Sequence, residues 1–161
     1  MGSEMCIRDR YSRLARLPQP KSRWQLLAPV FARVVALEPG HPIQIEVPDD
    51  LEAFVDADQL EQALINLARN AIEAQNESGG RIAITARARD ADLIVTVTDE
   101  GPGVANPDNL FVPFFTTKPG GSGVGLVLSR QIAEAHGGTL TLENRETERG
   151  CEARLRLPMN N

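Results

Sequence analysis

Apolar positions between residues 57 and 75 recur at steps of three and four. In "ADQLEQALINLARNAIEAQ", Leu60, Leu64, Leu67 and Ala71 line one face, which Ala63 and Ile72 widen. That spacing predicts an amphipathic helix, and Asp56 followed by Gln59 is the capping-box pattern that opens one. The stretch "LLAPVFARVVAL" (26–37) repeats in the same way and admits Pro29 in its first turn. A third helix is predicted from about Val124 to Ala135, stopping at "HGG". Elsewhere the period drops to two. "IQIEV" (43–47) and "EAFV" (52–55) read as short strands, and "RIAITARA" (81–88) with "DLIVTVTD" (92–99) as a hairpin across a short polar turn. Segments 139–144 and 151–157 read as closing strands, while a loop-rich stretch fills Glu100–Gly123. Before all of these, "YSRLARL" sets Tyr11, Leu14 and Leu17 at helical spacing until "PQPK" stops it.

Together these elements predict an α/β two-layer sandwich, a mixed and mostly antiparallel sheet with three helices on one face. A chain of 161 residues suits one domain with a real core. Its 42% hydrophobic and 24% charged composition is ordinary for a globular protein. The net charge of −5 argues against a general nucleic-acid-binding surface. Cys6 and Cys151 are too few and too isolated for a disulfide framework or a cysteine metal site. No apolar run approaches the roughly 20 residues that would span a bilayer, and the chain reads as cytosolic. "MGSEMCIRDR" (1–10) has neither a signal-peptide core nor a structural pattern. It reads as translated sequencing-adapter sequence, with the native protein expected to begin further upstream.

Three stretches carry candidate chemistry. Asn66 and Asn70 project from the same side of the long helix, away from its apolar stripe. An amide carbonyl is a neutral, hard ligand suited to a Mg²⁺ that already holds waters and phosphate oxygens; the pair would also suit a merely solvated helix face. Asp99 ends an apolar strand, with Gly101 and Gly103 just behind it. A carboxylate there can accept from the exocyclic amine of adenine, whereas the keto oxygen of guanine would face an acceptor, so such a site selects ATP over GTP. An ordinary glycine turn is the plainer alternative. A dinucleotide-binding reading of "GPGVAN" fails because Asn106 stands at the sixth position. Finally, Gly120, Gly121, Gly123 and Gly125 run directly into a helical pattern. Backbone N–H groups in such a turn form an anion site that the helix dipole reinforces, and Lys118 adds positive charge. No Gly-Lys-Ser/Thr follows, so this is not a Walker loop. The glycines would also let residues 111–123 order over a ligand as a lid, with Phe111, Phe114 and Phe115 at its base; a flexible linker is the alternative.

The order of these stretches is more specific than any one of them. An asparagine helix ("NLARN"), then "DEGPG", "FFTTK" and "GSGVGL", resembles the ATP-binding catalytic domain of sensor histidine kinases over about residues 24–158. The wider relatives are the Bergerat-fold ATPases, among them type II topoisomerases, mismatch-repair ATPases and heat-shock chaperones. The resemblance implies Asn70 as a Mg²⁺ ligand with Asn66 near it. It assigns Asp99, Gly101 and Gly103 to the adenine-binding box. Phe114, Phe115, Thr116, Thr117 and Lys118 match the phenylalanine box, and Gly121, Gly123, Val124, Gly125 and Leu126 match the phosphate-side glycine box. Catalytic roles fall to Asn70 and Lys118, with ATP and Mg²⁺ implied. In the hydrolytic relatives a glutamate that activates water stands at a position like that of Asn66, and an amide cannot be that base.

One departure is Glu73, where many kinases carry a basic residue, so its phosphate contact would fall to Arg69, Lys118 or Arg130. Residues 11–23 resemble the end of a dimerisation and phosphoacceptor helix with its linker, particularly in nitrogen-regulation-like sensors. His41 and His136 lie in no acceptor motif and are expected to be structural, which places the acceptor histidine on an upstream domain. The implied partners are that domain, a response regulator receiver domain and a second copy of the full-length chain, with no nucleic acid. The implied location is cytoplasmic, with inner-membrane anchoring of the full-length protein left open. A module that holds nucleotide without transfer and an anti-sigma-type serine kinase are the alternative readings. The first would need a degenerate site, and the second lacks a preceding dimerisation hairpin.

Overall fold

Five of the six period-two segments, all but 52–55, assemble into one five-stranded sheet in a computed structural model, which describes residues 17–75, 80–101, 124–145 and 150–159. The elements are β1 (Arg23–Leu26), α1 (Ala28–Ala36), β2 (Ile43–Glu46), β3 (Glu52–Val55), α2 (Ala57–Gln75), β4 (Ile82–Arg89), β5 (Asp92–Thr98), α3 (Val124–Ala135), β6 (Thr139–Asn144) and β7 (Cys151–Pro158). The sheet order is β2-β4-β5-β7-β6. Only β2 and β4 run parallel; the other pairs are antiparallel. At its centre Val95 stands opposite Ala86 on one side and Leu155 on the other.

Alternation gives this sheet one buried and one wet face. Ile82, Ile84, Leu93, Val95, Val97, Leu155 and Leu157 turn inward, while Thr85, Thr96 and Arg154 turn outward. The inward side chains join Phe31 and Val34 of α1, Leu60, Leu64 and Leu67 of α2, and Leu126 and Ala133 of α3 in one cluster. Full burial of each large aliphatic is worth roughly 1.5–3 kcal/mol, so the stripes seen in the sequence are the main source of cohesion. The result is the mixed, two-layer α/β sandwich with three helices among the described residues.

Asp56 caps α2 as its position suggests, its Oδ1 accepting from the N–H of Gln59 at 3.1 Å. The reciprocal half of the capping box is absent. Gln59 Nε2 instead donates to the carbonyl of Pro18 at 2.9 Å, and the N–H of Asp56 donates to His136 Nε2 at 3.2 Å. The imidazole has displaced the expected amide because the end of α3 lies beside the start of α2. Strand β1 is the element that periodicity misses. It pairs with β3 in a separate two-stranded sheet, where Trp24 meets Phe54 at a ring separation of 5.8 Å. Helix α1 consequently starts at Ala28 rather than Leu26, since the N–H of Leu27 is held by the carbonyl of Leu51 at 3.0 Å.

Candidate active site

Helices α2 and α3 run side by side in opposite directions, and their pairing brings two distant motifs together. The Asp56–His136 bond closes one end. In the middle Ser129 Oγ donates to the carbonyl of Ala63 at 3.4 Å. At the other end a β-carbon on Gly125 would stand 3.7 Å from Cγ of Asn66 and 3.8 Å from its Oδ1. The first turn of α3, into which the glycine-rich stretch leads in sequence, therefore abuts Asn66. Leu126 anchors that turn in the core.

Asn66 itself is incompletely satisfied. Its Oδ1 accepts a long bond of 3.5 Å from Gln62 Nε2, while its Nδ2 is buried without a partner. A buried donor left unmade costs about 1–3 kcal/mol, and an anion beside the first turn of α3 would remove that cost. In this rotamer Asn66 suits a phosphate oxygen; a half-turn of the amide would present the oxygen that a metal ion needs. Asn70 stands one turn further along α2, half-buried on the same side. Among the described residues no group of three or more His, Cys, Asp or Glu side chains could hold a metal. A cation here would depend on amide oxygens and on the oxygens of a ligand, which is how Mg²⁺ is commonly bound with nucleotides. These residues fit that group.

The second motif sits at the far end of α2. Asp99 follows β5 and is only 4% exposed. Its Oδ1 accepts from the N–H of Gly101 at 2.9 Å and of Cys151 at 3.3 Å. Its own N–H donates to the carbonyl of Cys151 at 3.0 Å, and its carbonyl accepts from Arg145 Nη1 at 3.3 Å. A carboxylate has room for about four donors, so it can take one from a ligand in addition. Gly101 turns out to be needed for a reason that the sequence does not reveal. A β-carbon there would lie 2.7 Å from the carbonyl oxygen of Ala74 and 3.1 Å from its Cβ. The loop rests directly on the last turn of α2.

Not every expected residue converges. Arg69 reaches back to Glu38 at 3.2 Å and Arg130 pairs with Glu134 at 3.6 Å, both in exposed settings where such pairs are weak. Lys118, Gly103, Phe114, Phe115, Thr116, Thr117, Gly121 and Gly123 lie outside the described residues, and of Val124 only the backbone is described. His136 is engaged at both ring nitrogens, Nδ1 facing the carbonyl of Ile132 at 2.8 Å. His41 lies exposed in the turn after α1, its N–H donating to the carbonyl of Glu38 at 3.1 Å. Sequence reasoning missed Gln75, whose amide joins α2 to Glu100. Its signal was a polar residue four places after Ala71, on the continuation of the apolar stripe. No described helix is long and apolar enough to cross a membrane.

Comparison with known proteins bears on this geometry. Residues 55–161 match the family described as "Histidine kinase-, DNA gyrase B-, and HSP90-like ATPase". The sensor histidine kinase ZraS of Escherichia coli is 41% identical over 111 residues, which cover 68% of this chain and 23% of that protein. The nitrogen regulation protein NtrY of Azorhizobium caulinodans is 33% identical over 161 residues, covering 92% of this chain and 21% of that protein. The chain thus spans about a fifth of the curated relatives it matches. Among solved structures, the catalytic domain of the histidine kinase ThkA superposes with a TM-score of 0.77 at 32% identity, covering 86% of this chain and 96% of that one. ThkA in complex with the response regulator TrrA gives a TM-score of 0.79 at 27% identity, covering 98% of this chain and 47% of that one.

Proposed function

The chain belongs to the histidine kinase-, DNA gyrase B- and HSP90-like ATPase family, and from that premise we propose that it is the ATP-binding catalytic domain of a two-component sensor histidine kinase. The domain comprises residues 24–158 and has the Bergerat fold. The reaction transfers the γ-phosphoryl of ATP to a histidine on a dimerisation domain: the imidazole nitrogen attacks phosphorus, the bond to the β,γ-bridging oxygen breaks, and ADP leaves. Asp99 receives the exocyclic amine of adenine. Asn66 donates to the phosphates where the α3 turn meets α2. Asn70, with Asn66 beside it, would hold Mg²⁺, which neutralises charge on the phosphate oxygens when bound. Lys118 and the glycine and phenylalanine boxes complete the phosphate side. What the chain contributes is positioning and electrostatics, which dominate phosphoryl transfer.

The observation that carries this reading is Asn66. Its amide lies beside Gly125 with an unpartnered buried donor. It can orient an anion but cannot take a proton from water, which favours transfer over hydrolysis. Residues 11–23 read as the end of the phosphoacceptor helix and its linker. In support, Lys21 N–H donates to Asp56 Oδ2 at 2.8 Å and Gln59 reaches the carbonyl of Pro18, so the stretch after Leu17 is seated on the start of α2. A receiver domain is the proposed downstream partner, as TrrA is for ThkA, and the full-length protein is proposed to act as a homodimer.

The test adds γ-labelled ATP to this chain together with a separately produced phosphoacceptor hairpin. Acid-labile, alkali-stable label on the hairpin is expected, weak because the tether and its effective concentration are lost. Acid-stable label on serine would favour the anti-sigma-type reading. Nucleotide binding with no transfer to any hairpin would leave a binding module.

A further inference from the structure

We propose that Gln75 is a positioning residue for the adenine loop, its carboxamide setting the place of Asp99 and so the affinity and base selectivity of the site. The inference rests on the ATP reading above. Gln75 is the last residue of α2 and is only 9% exposed. It continues the apolar stripe, where a leucine or methionine would pack as well. Its amide instead makes two bonds to segments distant from each other. Nε2 donates to the carbonyl of Gly80 at 2.8 Å, and Oε1 accepts from the N–H of Glu100 at 2.8 Å.

Glu100 stands between Asp99 and Gly101, so the second bond fixes the peptide that leaves Asp99. The first bond fixes the turn behind it. Gly80 has φ +119°, and a β-carbon there would lie 2.8 Å from Cβ of Glu100. The Glu100 carboxylate closes the ring by accepting from the N–H of Arg81 at 2.9 Å. Gln75, Gly80, Arg81 and Glu100 are thus one hydrogen-bonded unit, and Asp99 hangs from it on one flank while Cys151 and Arg145 hold the other. Removing the amide leaves the Glu100 N–H unpaired and loosens the peptide that leaves Asp99, whose position then rests on its bonds to Gly101, Cys151 and Arg145. The phosphate end, at Asn66 and Asn70, is untouched.

Two variants of the whole chain test this by calorimetric titration with ATP and GTP, alongside thermal melting. Gln75→Met keeps length and apolar volume but loses both bonds. It is expected to weaken ATP by up to about tenfold, the result if the cost of one unmade buried hydrogen bond falls on the bound state, and to lower the ATP-to-GTP ratio. Gln75→Glu keeps the acceptor for Glu100 but sets a second oxygen against the Gly80 carbonyl, near the Glu100 carboxylate and Arg81. Its affinity relative to wild type should be low at pH 8 and recover toward pH 5, where a protonated acid can donate as the amide does; Gln75→Met should show no such recovery. A lowered melting midpoint with unchanged affinity and selectivity in both variants would reduce Gln75 to a structural part and overturn the proposal. If wild type bound no adenine nucleotide, the ATP reading itself would fall, and the two failures are therefore distinct.

Discussion

Replacing Gly101 by alanine tests the contact on which the adenine loop rests. The new methyl would meet Ala74 at 2.7 Å from its oxygen, 3.0 Å from its carbonyl carbon and 3.1 Å from its Cβ. Unstrained carbon contacts lie at about 3.5–4.0 Å, so the loop must retreat by roughly half an ångström or more. The neighbour cannot yield instead, because the nearest two are backbone atoms in the last turn of a helix and the third is a Cβ fixed to that backbone. Overpacking of this kind costs about 1–3 kcal/mol. For a chain of this size each kcal/mol lowers the melting midpoint by roughly 2–4 °C. The retreat also carries Asp99, whose Oδ1 takes the Gly101 N–H. If the whole cost fell on the bound state, ADP affinity would drop about five- to 150-fold at 1.4 kcal/mol per decade. Differential scanning calorimetry of the free protein and titration with ADP well below the midpoint divide the cost between fold and site. An alanine variant with wild-type midpoint and wild-type affinity would refute the close approach of Gly101 to α2.

Asp99→Asn is expected to weaken ATP by about 1–3 kcal/mol, because a donor replaces an acceptor in a buried site; calorimetric titration reads it, and an unchanged Kd would remove Asp99 from the adenine site. Asn70→Ala should reduce transfer to a phosphoacceptor hairpin far more than it reduces adenosine binding, so undiminished transfer would count against its metal role. Asp56→Ala removes the cap on Gln59 and the acceptor for Lys21, which should cost about 0.5–2 kcal/mol in thermal melts while leaving nucleotide affinity at low temperature unchanged. Incubated alone with γ-labelled ATP, the chain should not label itself. Acid-labile label mapped to His41 or His136 would contradict that, His136 above all, since both of its ring nitrogens are engaged within the fold.

The helices were legible because each buries one stripe, and a stripe leaves a period in the sequence. The five-stranded sheet was legible for the same reason, its inner face being continuous from Ile82 to Leu157. Strand β1 was not, because its apolar side chains point outward: Trp24 is 51% exposed and Leu26 46%. Periodicity reports burial, and a short strand paired at the margin has little to report. The site divides in the same way. Asn66, Asn70, Asp99 and Gly101 could be nominated from their chemistry. The antiparallel pairing of α2 with α3, which sets Gly125 against Asn66, is a tertiary fact with no local signature. Gly101 was nominated as part of the adenine-binding box, and the crowding seen there is with Ala74.

The contact with Gly101 gives α2 a second role. Asn66, Asn70, Ala74 and Gln75 all belong to one helix, and Asn66 to Ala74 spans roughly 12 Å at 1.5 Å per residue. Asn66 faces the first turn of α3, and the last turn of α2 carries the loop that holds Asp99. On the ATP reading proposed above, both ends of the site are therefore measured off one backbone, whose own stripe is locked in the core by Leu60, Leu64 and Leu67. Neither anchor belongs to residues 102–123, which lie outside the described residues, so on that reading their spacing is set by α2 and the loop that rests on it.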